Sequence, residues 1–292
     1  MNEYSNAIEI KGVTKRYDGF TLDHVSFEVP KGSIMGYIGQ NGAGKTTTIR
    51  SLLNIIPIDS GEIQILGLDH RKDEQKIKQR IAVVFDELPF HDIFNANDMA
   101  RIFEGLYSEW DNALYKQYLE RFQLPTKKKI GQLSKGMKMK LQIACALSHN
   151  AELLVMDEAT TGLDPVVRDE ILHIFMEYLE SGERSILMSS HITSDLEKIA
   201  DSVTYINKGR ILVSGYKDEI LEKHGVIKCS REELKDIDPK DIVSVRVNDF
   251  GAEAMVYDRE AMHYKYSGLL IDPTSLEEIM LYYVNKEKKE WS

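Results

Sequence analysis

An α/β fold built on a parallel central sheet is expected, and three observations carry that reading. Short apolar runs recur at Ile34–Ile38, Ile81–Phe85, Leu153–Met156, Ser185–Met188 and Val203–Ile206. Helix-like segments separate the last three, the pattern of right-handed βαβ crossovers. Two stretches that alternate apolar and polar residues, Ile8–Val13 and His24–Val29, come first and predict an antiparallel β subdomain. From about 90 to 150 the hydrophobic period turns helical, which predicts a helical subdomain. With 292 residues, 42% of them hydrophobic, the chain can fill one large domain or one and a half. The chain is expected to divide into a principal domain, 1–221, and a small α+β appendage, 222–292.

In chain order, Pro30-Lys31-Gly32 turns the second alternating strand into the apolar run Ile34–Ile38. A glycine-rich loop follows, and Thr48–Leu53 reads as the start of a helix. Glu62–Leu66 is a strand, Gly67-Leu68 a break, and Ile81–Phe85 a strand without polar alternation, hence buried on both faces. Met99, Ile102, Phe103 and Leu106 form one helical stripe, and Leu141, Ala144, Cys145 and Ser148 another. The parallel core ends around Ser214-Gly215-Tyr216. In the appendage, Ile242–Val247 and Ala254–Tyr257 are strand-like, and a final helix begins near Ser275. Its stripe Leu276, Ile279, Met280 and Tyr283 is expected to pack against the appendage or a second copy, and Lys286–Glu290 to be a solvated end.

Formal net charge is −10, and no basic block exceeds short pieces such as Lys127-Lys128-Lys129, so nucleic acid is not an expected partner. Cys145 and Cys229 lie far apart and outside any metal-ligand spacing, which predicts buried, reduced thiols. Met1–Asn6 contains no basic segment leading into an apolar one, and no apolar run approaches the roughly 20 residues that cross a bilayer. The protein is expected to stay in the cytoplasm and to meet a membrane through a partner.

The chemistry is concentrated in two places. Gly39-Gln40-Asn41-Gly42-Ala43-Gly44-Lys45-Thr46-Thr47 lies between a strand and a helix, the setting of a phosphate-cradling loop. Its glycines let backbone N–H groups turn toward an anion, and the helix behind adds the positive end of its dipole. Lys45 then reaches the β- and γ-phosphates of ATP and the Thr46 hydroxyl ligates Mg²⁺. The run Leu153–Met156 ends in Asp157-Glu158, which sets two carboxylates at the carboxyl end of the sheet, where such folds bind ligands. Asp157 is expected to hold Mg²⁺ through water, and Glu158 to orient and deprotonate the attacking water.

Leu133-Ser134-Lys135-Gly136-Met137 alone is an N-cap serine with a flexible glycine. In sequence with the phosphate loop, the acidic strand, Thr161-Gly162-Leu163-Asp164 and Ser189-Ser190-His191, however, it resembles the signature of the ATP-binding-cassette ATPases, over about Ile8 to Gly215. The resemblance implies a RecA-like parallel-sheet core with antiparallel β and helical signature subdomains. It implies a nucleotide sandwiched between two subunits, with Ser134 and the backbone of Gly136 on the γ-phosphate of the opposite one. It further implies that His191 bonds the γ-phosphate, that Asp164 couples the two sites across the dimer, and that Tyr17 stacks on adenine. Asp164 ahead of Pro165 is equally a helix cap, and Tyr17 is otherwise a packing aromatic. Lys135 and Met137 depart from the family's Gly and Gln. Asp86 departs as well: the family places there a glutamine that touches Mg²⁺ or the water, in a loop that meets the membrane partner. Asp86 keeps an oxygen ligand but adds negative charge, and Glu87 is the other candidate for the position.

The function implied is the ATPase subunit of a membrane transporter, peripheral on the inner face of the membrane. It would work as a homodimer or heterodimer with a second such ATPase and with separately encoded integral-membrane permease subunits. Asp86, the altered signature and the appendage make the chain look most like the ATP-binding subunits of bacterial exporters of antimicrobial or cytolytic peptides, including the phenol-soluble-modulin exporter type. Two other readings are a soluble mechanical ATPase acting on nucleic acid or the ribosome and a nucleotide sensor with little turnover.

Overall fold

The computed structural model describes residues 4–290, with side chains as far as Lys286. Of the charged end expected to be solvated, Lys286 is exposed and the side chains of 287–290 lie outside the described residues. Strands β1 (Asn6–Tyr17) and β2 (Phe20–Pro30) form an antiparallel hairpin, longer at both ends than the alternation suggested. β3 (Ile34–Ile38) is buried along its whole length and feeds the glycine loop and helix α1 (Lys45–Leu52). β4 (Ser60–Ile65) pairs with the other edge of β1, and β5 (Leu68–Asp69) folds back on β4. The first sheet is thus antiparallel, in the order β2-β1-β4-β5.

Helix α2 (Glu74–Arg80) buries only Ile77, and a single apolar anchor leaves no periodic signal in the sequence. β6 (Ile81–Phe85) leads into the helical segment, α3 (Ala96–Leu106), α4 (Asn112–Arg121) and α5 (Lys135–Leu147). The stripe on α5 is buried as expected. On α3, Met99 is buried, but Leu106 is 60% exposed. Tyr107, one residue on, turns inward instead and stacks on His149 with ring centroids 3.9 Å apart. The covered part of the stripe therefore ends at Phe103, three residues before the helix does.

β7 (Leu153–Asp157), α6 (Pro165–Leu179), β8 (Ser185–Ser190), α7 (Thr193–Ile199), β9 (Ser202–Asn207) and β10 (Arg210–Tyr216) complete a six-stranded sheet in the order β10-β9-β3-β8-β7-β6. All its pairs are parallel except β9 with β10. One face packs on α5 and α6; the other meets α1 and the first sheet.

After α8 (Lys217–Lys223) come β11 (His224–Cys229), β12 (Ile242–Asn248), β13 (Gly251–Tyr257), α9 (Arg259–Lys265), β14 (Leu270–Pro273) and α10 (Leu276–Glu290). The third sheet is antiparallel, β12-β13-β11-β14. Alternation gives it two buried faces. Ile227, Ala254 and Val256 point into a small core of their own, whereas Val226 and Met255 join the main core together with Leu276, Ile279, Tyr282 and Val284 of α10. Cys145 is buried and Cys229 only half-buried, and both are free.

Candidate active site

The glycine loop is held from behind by the turn after β9, where Gly209 N donates to Ala43 O at 2.8 Å. Gly42 and Gly44 have φ of +79° and +116°, values that strain an L side chain. α1 starts on Gly44 with no side-chain cap and no acid in its first turn. By contrast α3, α4, α5 and α6 are capped by Asn95, Asp111, Ser134 and Asp164. An uncapped first turn behind a glycine loop presents N–H groups to an anion. Thr48 fixes this turn from within: its hydroxyl donates to Gly44 O at 2.9 Å and lies 3.0 Å from Tyr37 OH.

Lys45 supplies the positive charge, almost wholly buried. Its Nζ donates to Gly39 O at 2.6 Å and Gln40 O at 3.2 Å, and pairs with Glu158 Oε1 at 2.9 Å. Glu158 leaves β7 with φ +57°, a left-handed conformation rare outside glycine. Its N–H is held there by Ser189 O and Ser189 Oγ, at 3.2 and 3.1 Å. Oε2 accepts from Thr161 Oγ1 at 2.8 Å and lies 2.6 Å from His191 Nδ1. An ionised carboxylate only accepts, so Nδ1 carries the proton in this pair. Burial pushes the Glu158 carboxyl up, but Lys45, Thr161 and His191 together outweigh it and hold the carboxyl below the ordinary glutamate range.

Asp157 is buried beside it and accepts from Ser189 Oγ at 2.7 Å. The loop, Glu158 and the half-buried hydroxyls of Thr46 and Thr47 line a cavity of about 520 Å³, together with Asn41 and Phe20. That volume suits a small organic anion. No cluster of three or more His, Cys, Asp or Glu residues able to hold a metal occurs among the described residues. Thr46 and Asp157 offer two hard oxygens, a donor set that fits Mg²⁺ when phosphate and water oxygens complete the shell.

Other expected site residues stand apart from this cavity. Tyr17 is exposed beneath Lys15 Nζ, 5.6 Å from its ring centroid, and Phe20, its cross-strand partner, lines the cavity instead. Ser134 accepts from Met137 N at 3.2 Å as the cap of α5, and Gly136 packs near Val167 of α6. Asp164 caps α6, accepting from Val166 N and Val167 N at 3.2 and 3.0 Å. Asp86 pairs with Lys135, 2.7 Å apart, and with Glu87 lines a separate groove of about 440 Å³. A further cavity of about 660 Å³ separates Gln40, Asn41 and His191 from Met280, Leu281 and Val284 of α10.

Three residues that build the site, Phe20, Ser189 and Thr161, had no role assigned from the sequence, nor had Gln142 at the separate groove. Gln142 clamps the last residue of β6, accepting from Phe85 N at 2.7 Å and donating to Phe85 O at 3.0 Å. A polar residue inside the apolar stripe of α5 was its one visible signal. Phe20, one aromatic among many, left none.

Residues 22–161 match the ABC transporter family. The bacitracin transport ATP-binding protein of Bacillus licheniformis is 36% identical over 211 residues, which cover 71% of this chain and 69% of that protein. A Nod factor export ATP-binding protein of Sinorhizobium fredii is 32% identical over 305 aligned positions, covering 97% of this chain and 88% of that protein. A solved structure of the ATP-binding subunit of an ABC transporter superposes with a TM-score of 0.67 at 27% identity, covering 73% of this chain and 91% of its own. Among the described residues no helix is long and apolar enough to cross a membrane.

Proposed function

The chain belongs to the ATP-binding-cassette transporter family as an ATP-binding, ATP-hydrolysing subunit, and from that premise we propose that it drives export of peptides or drugs through integral-membrane permease subunits. It works on the cytoplasmic face as one half of a dimer, with a second copy or a related ATPase. A relative named for Nod factor export supports the direction, and one named for bacitracin transport supports the class of cargo. The observation that carries the catalytic reading is the convergence of Lys45, Glu158 and His191, from three separate elements, at the mouth of the glycine loop.

In this reading Lys45 moves from Glu158 onto the β- and γ-phosphate oxygens, which frees Oε1. Glu158 then takes a proton from the water that attacks the γ-phosphorus, as the bond to ADP breaks. His191, oriented through its Nδ1–H, reaches the γ-phosphate through Nε2, which donates to a phosphate oxygen only when it carries a proton as well. Thr46 and Asp157 would hold Mg²⁺, which when bound would neutralise charge on the phosphates. Tyr17 or Phe20, at the end of one hairpin, stacks on the base. Ser134, Gly136 and Asp164 act on the opposite subunit's nucleotide, which fits their position away from their own cavity.

Glu158→Gln tests the reading. The variant is expected to bind ATP, to lose phosphate release, and to accumulate as a dimer in Mg-ATP by light scattering. Undiminished turnover in a homogeneous preparation removes Glu158 as the base.

A further inference from the structure

Lys135 is placed against ordinary helix electrostatics. It is the first residue of α5, where the dipole is positive, and no acid occupies that first turn to offset it. The offset comes from another loop. Lys135 Nζ donates to Asp86 Oδ1 at 2.7 Å, one residue beyond β6, and among the described residues Asp86 has no other side-chain partner. The same ammonium lies over Gly162, where an added Cβ would sit 3.2 Å from Nζ, so one cation bridges the loops that leave β6 and β7.

The pair is on the surface, with the two side chains 48% and 40% exposed. An ion pair so exposed is worth no more than about fivefold in an equilibrium, weak enough to be exchanged for a more highly charged anion. Upstream the chain is pinned, because Gln142 holds both backbone groups of Phe85. Release of Asp86 therefore frees the segment from 86 onward and leaves the strand in place. That segment lines the groove containing Leu88, Phe90 and Met139.

We propose that Lys135 is a positioning residue that exchanges Asp86 for the terminal phosphate of a nucleotide held by the second subunit, unlatching the loop after β6 as the subunits close. The exchange rests on the two-subunit reading given above. It turns the acid at 86 from a metal ligand into a latch: nucleotide engagement at one subunit's signature is transmitted to its own surface groove through a single cation.

The experiment uses the full-length chain carrying Glu158→Gln, titrated with Mg-ATP and followed by light scattering, with thermal unfolding of each variant as the folding control. Adding Asp86→Asn removes the competitor and is expected to lower the ATP concentration for half-maximal dimerisation roughly two- to fivefold, with unchanged unfolding. Lys135→Ala raises that concentration, and Lys135→Arg restores it. The decisive variant is the swap Asp86→Lys with Lys135→Asp, which keeps an ion pair but turns an acid toward the phosphate; it is expected not to dimerise. A swap that dimerises like its parent makes the pair merely structural and overturns the proposal, as does a titration insensitive to Asp86→Asn. A Glu158→Gln parent that stays monomeric in Mg-ATP overturns the two-subunit reading and the exchange with it.

Discussion

Lys45 joins the carbonyls of its own loop to the Glu158 carboxylate, so two expectations follow at the scale of single residues. Lys45→Ala deletes a charged donor and is expected to weaken ATP binding roughly ten- to a hundredfold by calorimetry, since hydrogen bonds to charged groups are worth about 1.5–3 kcal/mol. The second concerns acid. The Glu158 carboxyl is held below its ordinary value in the folded chain, so its contribution is complete above the unfolded glutamate pKa and is lost as pH falls through the lowered one. The gap in unfolding temperature between wild type and Glu158→Gln should therefore narrow as pH is taken from about 6 to about 3; a constant gap contradicts the ion pair. Lys45, Asp157 and Glu158 were singled out by residue type beside a strand end or glycine loop, and His191 by resemblance alone; the structure brings Lys45, Glu158 and His191 into contact, with Asp157 beside them. Ser189 and Phe20 were not legible, since a serine that orients an aspartate and a ring that walls a cavity follow from tertiary placement alone.

Elements follow the same division. The parallel strands were readable because burial on both faces removes polar residues from them, and α5 because its stripe is continuous. α2, β11 and β14 were not, being short or interrupted: β11 opens with His224-Gly225, and its pairing partners β13 and β14 lie far along the chain. Leu106 marks the opposite failure, an apolar residue in phase with a stripe but past the point where a neighbour covers it. The polar exception inside α5 leads to a third prediction. Gln142→Leu preserves volume but leaves Phe85 N–H and C=O without partners, a cost of about 1–3 kcal/mol for each orphaned group, readable as a lower urea midpoint. An unchanged midpoint would mean that water replaces the amide.

For the molecule as a whole, the third sheet and α10 are welded to the nucleotide core through shared apolar contacts. Leu276 N donates to Glu197 Oε1 of α7 at 2.8 Å, and Arg246 lies 4.1 Å from the ring of Tyr282. Ile279→Ala, at a position 2% exposed, is expected to cost about 2–5 kcal/mol and to lower one cooperative calorimetric transition of the entire chain. Two separable transitions, of which only the smaller moves, would instead show an independent appendage. The side of α10 that faces Asn41 and His191 across the open cavity also bears on biosynthesis. The loop is complete only once Gly209, which holds Ala43, has been made; about 70 residues then remain before Leu276, which at about 5–20 residues per second takes a ribosome roughly 3–13 seconds. Throughout that interval the nascent chain carries a finished glycine loop beside an uncovered apolar seam, and chaperones would meet that seam before any nucleotide-driven pairing could begin.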